Sequence, residues 1–263
     1  MRFTKLTTQT ILLCTICFVL SVTGTDAQFS PEDNSGFRLP IPMGILTGGD
    51  NSKTVSLQLE SVLEENFIGD QLTVDSNIFY WVNRGGSTTL RYGKLRTGQL
   101  DIGGYLDRNF SGHLMVADQG KLYWVDSAGA LYQSDVEDGS LRNEKLLKEK
   151  FNAKLFTVDH GTLYWQEAGS NALHRGEIID GKLQDEGIVD KNFRAKLLTA
   201  DKGVIYWVDR NTRALRHGEI KEGKMKDLGV LSGNFTAKVL AVENANFFWL
   251  NQKDEELCYG RVR

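Results

Sequence analysis

Residues Leu197 to Asp209 read LLTADKGVIYWVD, and the pattern recurs as LTVDSNIFYWVN (72–83), LMVADQGKLYWVD (114–126), LFTVDHGTLYWQE (155–167) and VLAVENANFFWLN (239–251). All five tryptophans of the chain, Trp81, Trp124, Trp165, Trp207 and Trp249, occupy one position of this unit, at spacings of 43, 41, 42 and 42 residues. A period of about 40 to 45 residues with several short strands per unit is the sequence signature of a β-propeller, whose units bury their apolar faces only by packing on their neighbours. The repeat therefore predicts an all-β fold before any chemistry is considered.

Each unit divides into four short runs, clearest in the fourth copy: AKLLTAD (195–201), VIYWVD (204–209), ALRHGEI (214–220) and KDLGVL (226–231). We designate them strands a to d of an antiparallel blade. Gly and Asn punctuate the a–b turns, and TGQ, DGS, DGK and EGK fill the c–d turns; these residues tolerate the positive φ of tight hairpins. Strand b is nearly continuous in apolar residues, as a strand is when both faces are covered, here by adjacent blades. Its consecutive Tyr and Trp point to opposite faces, so each packs on a different neighbour.

The ends of the chain bear on closure. The last copy stops after strand c (ELCYGRVR) and lacks a strand d. The segment LQLESVLEENFIGD (57–70) aligns with DEGIVDKNFRAK (185–196) and DLGVLSGNFTAK (227–238), including the pair Asn66-Phe67, which matches Asn192-Phe193 and Asn234-Phe235. The N-terminal strand is thus expected to complete the last blade, which gives five blades over residues 54–263 and protects the sheet edges.

Composition is that of an ordinary globular protein: 263 residues, 41% hydrophobic, 25% charged. A net charge of -3 and a pI near 5.9 give no basic surplus, which argues against a nucleic-acid partner or an anionic membrane surface. Arg2 and Lys5, the apolar run Ile11 to Val22 and small residues ending at Ala27 read as a signal peptide (1–27), too short for a membrane span, so a secreted, extracellular protein is expected. Residues 28–53 hold all three prolines and read as a loop-like lead segment, in which Pro42 to Leu46 has the apolar character of an extended stretch packed on the body. Cys14 and Cys17 leave with the signal peptide. Cys258 then remains as a small buried hydrophobe or as a bridge in a dimer, and the core rather than an internal disulfide holds the fold.

The series YWVN, YWVD, YWQE, YWVD and FWLN, each preceded by an LxVD-like strand, together with the turn Asp138-Gly139-Ser140, resembles the YWTD repeats of low-density-lipoprotein-receptor-type propellers. The resemblance covers about residues 54 to 263. It implies an extracellular, non-enzymatic propeller that acts in ligand binding or release. That family carries six blades and flanking cysteine-rich modules, where this chain shows five repeats and no such module.

Two acidic series recur. Asp75, Asp118, Asp159, Asp201 and Glu243 end strand a, and Asn83, Asp126, Glu167, Asp209 and Asn251 follow the tryptophans. An acid present once per blade suits the capping of backbone amides better than catalysis, which needs unlike residues with separated pKa values. The first ring also has the donor chemistry for a hard cation such as Ca²⁺, the one cofactor the sequence admits. The second series mixes Asn, Asp and Glu, which share acceptor oxygens and suit hydrogen bonding within a blade. His113, His160, His174 and His217 share no repeat position and have no zinc-site spacing, and no nucleophile elbow or phosphate loop occurs. Asn109-Phe110-Ser111 and Asn234-Phe235-Thr236 are N-glycosylation sequons in equivalent d–a loops. Those loops are expected on one face with the b–c loops, which differ from blade to blade. Arg84 and Arg210, at matching places in two b–c loops, are the candidate ligand contacts.

The leading expectation is a secreted, non-enzymatic propeller that binds an extracellular protein or carbohydrate through its loop-bearing face. A lectin predicts similar pockets in each blade, whereas a protein binder predicts one asymmetric patch. The alternatives are a structural component of a matrix or secretion, and a glycan or nucleotide hydrolase with a central site, whose mark is acids that break the repeat.

Overall fold

The computed structural model describes residues 55–83, 88–253 and 255–263. The expected signal peptide and lead segment, with its stretch 42–46, and Arg84 lie outside these residues.

Among the described residues, twenty strands form five four-stranded antiparallel sheets. Blade 1 is β2 (Gln71–Asp75), β3 (Ile78–Asn83), β4 (Thr89–Arg96) and β5 (Gln99–Asp107). Blade 2 is β6 (Leu114–Asp118), β7 (Lys121–Val125), β8 (Leu131–Glu137) and β9 (Ser140–Lys148). Blade 3 is β10 (Ala153–Asp159), β11 (Thr162–Glu167), β12 (Leu173–Ile179) and β13 (Lys182–Asp190). Blade 4 is β14 (Ala195–Asp201), β15 (Val204–Asp209), β16 (Leu215–Lys221) and β17 (Lys224–Ser232). Blade 5 takes β18 (Ala237–Glu243), β19 (Asn246–Asn251) and β20 (Leu257–Val262) from the C-terminus and β1 (Leu57–Glu64) from the other end of the chain. The innermost strands β2, β6, β10, β14 and β18 neighbour one another in turn, and β18 returns to β2, so the ring is closed.

The N-terminal clasp has the expected register. β1 runs antiparallel to β20 from Leu57↔Val262 to Glu64↔Leu257. Beyond the strand, Ser56 and Arg263 exchange both backbone hydrogen bonds, at 2.9 and 3.0 Å. The other four blades join c to d through two-residue turns with both residues at positive φ, such as Asp138 (49°) and Gly139 (68°). Their strand-b to strand-a turns have the same form. That mirror-image turn matches strand twist and is why Asn, Asp and Gly punctuate the sequence at these points.

Five apolar clusters fill the five interfaces between blades. Trp81 packs with Phe248 and Tyr259 of blade 5, while Tyr80 beside it packs with Trp124 of blade 2. Each tryptophan therefore faces the preceding blade and the tyrosine before it, or Phe248 in blade 5, the following one, as the alternation of a strand requires. A phenylalanine from the connection entering each blade lies tilted against that blade's tryptophan: Phe67–Trp81, Phe110–Trp124, Phe151–Trp165, Phe193–Trp207 and Phe235–Trp249, with ring centroids 5.4 to 5.8 Å apart. Each tryptophan pairs across the ladder with a residue of strand c, Arg91, Tyr132, His174, Arg216 or Cys258, and Tyr132 and His174 stack on their tryptophans while the Arg91 guanidinium lies over Trp81. Cys258 is 2% exposed inside this packing, and its Sγ donates to the Glu256 carbonyl at 3.6 Å. The thiol has no path to a second chain without opening blade 5, so the structure supports its reading as a core residue and not as a dimer bridge.

Two residues beyond each of these covering positions on strand c the chain carries Gly93, Ser134, Gly176, Gly218 or Gly260. A Cβ at Gly260 would lie 2.3 Å from the Gln58 carbonyl oxygen and 3.0 Å from the Trp249 ring, so only glycine lets β1 approach. The outer strands are interrupted by register shifts, and Gly187 (φ 108°) and Gly229 (φ 130°) sit at two of them. Bulges of this kind blunt an exposed sheet edge against pairing with another chain.

Candidate functional site

The ring has two unlike ends. One carries the a–b and c–d turns, the other the b–c and d–a loops. The shared location of the latter two is fixed by backbone hydrogen bonds: Phe110 N to Thr88 O, Phe151 N to Gly129 O, Phe235 N to Arg213 O and Phe67 N to Glu255 O, all between 2.7 and 3.1 Å. In blade 3, Gln166 interrupts the apolar run of strand b and its Nε2 donates to the Phe193 carbonyl, tying that blade's core to the same face.

The strand-a acids sit at the turn-bearing end, and each reaches into the next blade. Asp75 accepts from Gly120 N (2.6 Å), Asp118 from His160 N (3.1 Å) and Gly161 N (3.0 Å), and Asp159 from Lys202 N (3.0 Å) and Gly203 N. Asp201 accepts from Ala245 N (3.0 Å), and Glu243 closes the circuit on Asn77 N (3.1 Å). A second tier follows where the repeat has threonine, with Ala117 N donating to Thr73 Oγ1 (2.9 Å) and Ala200 N to Thr157 Oγ1 (3.1 Å). The acids are thus cross-links between blades. Burial pushes the carboxyls of Asp118 and Glu243 above the ordinary range, and the amides they accept from oppose that rise.

Replacing Asp118 by Ala leaves the amides of His160 and Gly161 without their acceptor. The expected cost is about 1–3 kcal/mol, read as a lower urea midpoint with unchanged slope. An unchanged midpoint would remove the acids from the architecture.

For a cation, the ring offers one close set: ligand atoms of Asp118, Asp159 and His160 lie within 4.8 Å of one another. Both carboxylates already hold two amides of the following blade, and His160 Nδ1 lies 2.7 Å from Asp159 Oδ1. In Asp118 and Asp159 these amides occupy both carboxylate oxygens.

The same His160–Asp159 contact raises the His160 pKa above 6.5, whereas burial lowers that of His217, whose Nδ1 has no hydrogen-bond partner among the described residues. The two act on stability with opposite sign. The contribution of His160 is present below pH 6.5 and is lost as pH rises through its folded midpoint. That of His217 is present above 6.5 and is lost as pH falls. Side-chain NMR titration is expected to place the two midpoints on opposite sides of 6.5, with Asp159→Asn bringing His160 down. Two midpoints on the same side would contradict these environments.

The second series caps the b–c loops from within. Asp126 Oδ1 accepts from Ala128 N and Ala130 N, Asp209 Oδ1 from Asn211 N and Thr212 N, and Asn251 Oδ1 from Lys253 N, all at 2.8 to 3.1 Å. Glu167 instead accepts from the Ser170 hydroxyl. The sequons Asn109 and Asn234 are exposed in equivalent d–a loops, on the same face. Arg210 is also there, exposed, with its guanidinium donating to the Ala195 carbonyl at 3.4 Å.

A set of basic residues near the axis on this face was not foreseen from the sequence. Lys154, Lys196 and Lys238 are the extra residues of β-bulges that open the inner strands of blades 3, 4 and 5. Lys196 Nζ reaches the Ala237 carbonyl and Gln252 Oε1, both at 3.1 Å, and Lys238 Nζ pairs with Glu255 at 2.9 Å. Blades 1 and 2 have Asp70 and His113 at this position. The repeated dipeptide Ala-Lys at 153–154, 195–196 and 237–238 is the sequence signal by which it could have been found.

Comparison with known proteins adds the fold alone. No family model and no curated protein matches the chain. Among solved structures it is similar to the glutaminyl cyclase of Myxococcus xanthus, with a TM-score of 0.56 and 17% identity over 79% of this chain and 97% of that one. It is also similar to a protein of unknown function from Bacteroides thetaiotaomicron VPI-5482, with a TM-score of 0.53 and 15% identity over 77% of this chain and 61% of that one. A third likeness, to a chain of a nidogen/laminin complex, has a TM-score of 0.46 and 18% identity over 70% and 72% of the two chains.

Proposed function

We propose that the protein is a secreted, non-enzymatic β-propeller of the YWTD type that binds an extracellular ligand through its b–c and d–a loop face. The observation that carries this reading is a division of labour. The residues that repeat, the strand-a acids, the tryptophans and the entering phenylalanines, are engaged in closing the ring. The residues that vary, the b–c loops and the bulge position, gather on the other end. A rigid ring with irregular loops at one end is a recognition scaffold. Because the loops and the bulge residues differ between blades, the binding patch is single and asymmetric rather than one pocket per blade.

A central-site enzyme is the second reading, favoured by the likeness in fold to a glutaminyl cyclase. Against it stands the use of the strand-a carboxylates as amide acceptors between blades, a structural role that recurs around the ring.

The test is a binding screen of the purified protein on glycan arrays and by native mass spectrometry, with and without calcium. Saturable binding of one copy of ligand, insensitive to chelation, is expected. Several equivalent copies per chain, or dependence on calcium, would contradict an asymmetric, metal-independent patch.

A further inference from the structure

The loop face is uneven in charge. In the sector of blades 3 and 4, Lys154, Lys196 and Arg210 stand near the axis, and Lys191, Arg194 and Arg213 are exposed around them. Among the described residues none of the first three has a carboxylate within ion-pair distance, since Lys196 and Arg210 donate only to carbonyl and amide oxygens. The neighbouring carboxylates are turned into their own loops, Asp190 Oδ1 onto Asn192 N at 2.8 Å, Asp209 Oδ1 onto Asn211 N at 2.9 Å, and Glu167 onto Ser170. Lys154 also has its pKa lowered, first by desolvation and then by the like charge of Arg210, so cations of two blades are held close together without a counterion. Beside this sector, blade 5 presents Glu65, Glu255 and Glu256, and Glu255 neutralises Lys238.

We propose that this sector, centred on Lys154, Lys196 and Arg210, is a binding site for an anionic polysaccharide bearing sulfate or carboxylate groups. The inference rests on the loop-face reading above and names its ligand class. Three cations without counterions, two of them carried on β-bulges, form a positive surface for a chain of anions, and the acids of blade 5 bound it on one side. An acidic protein is the other polyanion to consider. Protein interfaces centre on aromatic or large apolar anchors, and this sector's b–c loops, Ala168–Ala172 and Arg210–Ala214, hold no aromatic or large apolar residue. The exposed large apolar side chains lie instead on the outer strands, at Ile179 beside a c–d turn, and at Ile68.

The experiment is calorimetric titration of the full-length protein with heparin, with hyaluronan, with a neutral dextran and with poly-L-glutamate, at several salt concentrations. Saturable binding of heparin or hyaluronan but not dextran is expected, and which of the two binds distinguishes sulfate from uronate as the recognised group. The double variant Lys154→Ala/Arg210→Ala is expected to bind roughly tenfold more weakly at low salt, with the slope of log affinity against log salt reduced by about two. The double variant Lys182→Ala/Lys224→Ala, in c–d turns at the opposite end, retains parental affinity. Absence of binding to both polysaccharides, equal affinity in the first variant, or tighter binding of poly-L-glutamate than of either polysaccharide would overturn the proposal. Failure here with a different ligand still captured by the loop face in the array screen would leave the broader function standing.

Discussion

A chain cut to begin at Gln71 is expected not to unfold cooperatively, and a circular permutant that carries the missing strand at its other end is expected to recover a melt close to the parent's. The truncation removes β1 and Phe67, strips β20 of its outer ladder, and uncovers Leu257, Cys258 and Tyr259, which are 0%, 2% and 7% exposed in the closed ring. Leu63 and Phe67, both 5% exposed, are lost from the interface with blade 1. Five such side chains, at about 1.5–3 kcal/mol each, sum to the order of the whole stability of a domain. The permutant follows from the geometry at the chain ends. Ser56 and Arg263 exchange both backbone hydrogen bonds, which is the closing pair of a two-residue hairpin. Joining Arg263 to Ser56 through Asp-Gly therefore copies the c–d turns of the other four blades, with new termini between Asp70 and Gln71. A cooperative, native-like melt of the truncated chain, or a permutant that stays unfolded, would refute closure by the clasp.

Replacing Trp207 by Ala is expected to cost about 3–5 kcal/mol. The ring is 5% exposed, lies 5.4 Å from Phe193, and fills the interface of blades 3 and 4 with Tyr164 and Leu198. For a domain of this size that is a drop of roughly 10 °C in melting temperature. Trp207→Phe keeps an aromatic ring against Phe193 and is expected to cost less, so thermal melts of the two variants separate lost packing from a general intolerance at the site. Equal destabilisation by Phe and Ala, or none by Ala, would contradict the packing described.

Much of this architecture was legible because the features that specify it repeat. The tryptophan period marks the blades, the turn residues mark the strands, and Asn66-Phe67 identifies a strand d detached from its blade. The contacts that cross blades were less legible. That Asp118 would accept amides was readable from its recurrence at a strand end. That those amides belong to His160 and Gly161, more than forty residues on, follows only once the ring closes. The residues covering the tryptophans were hidden for another reason. Arg91, Tyr132, His174, Arg216 and Cys258 fill one register position with four residue types, so no pattern of residue type reveals them. The lysine bulges were missed because an extra residue at the mouth of a strand reads as a slip in alternation. Of the two arginines singled out, Arg210 stands in the basic sector, and Arg84 lies outside the described residues.

The separation of closure from recognition is tested most directly by exchanging loops. In a chimera whose b–c loops in blades 3 and 4 are replaced by the blade 2 loop, Ser127–Ala130, the ring acids, tryptophans and bulge lysines remain. The measurement is ligand affinity by calorimetry beside the melting temperature of the same sample, with the ligand captured in the array screen as titrant. The result predicted is loss of binding with melting little changed. Retained binding in the chimera, or binding abolished by Asp118→Ala in a protein that remains folded, would place recognition at the turn-bearing end and contradict the account.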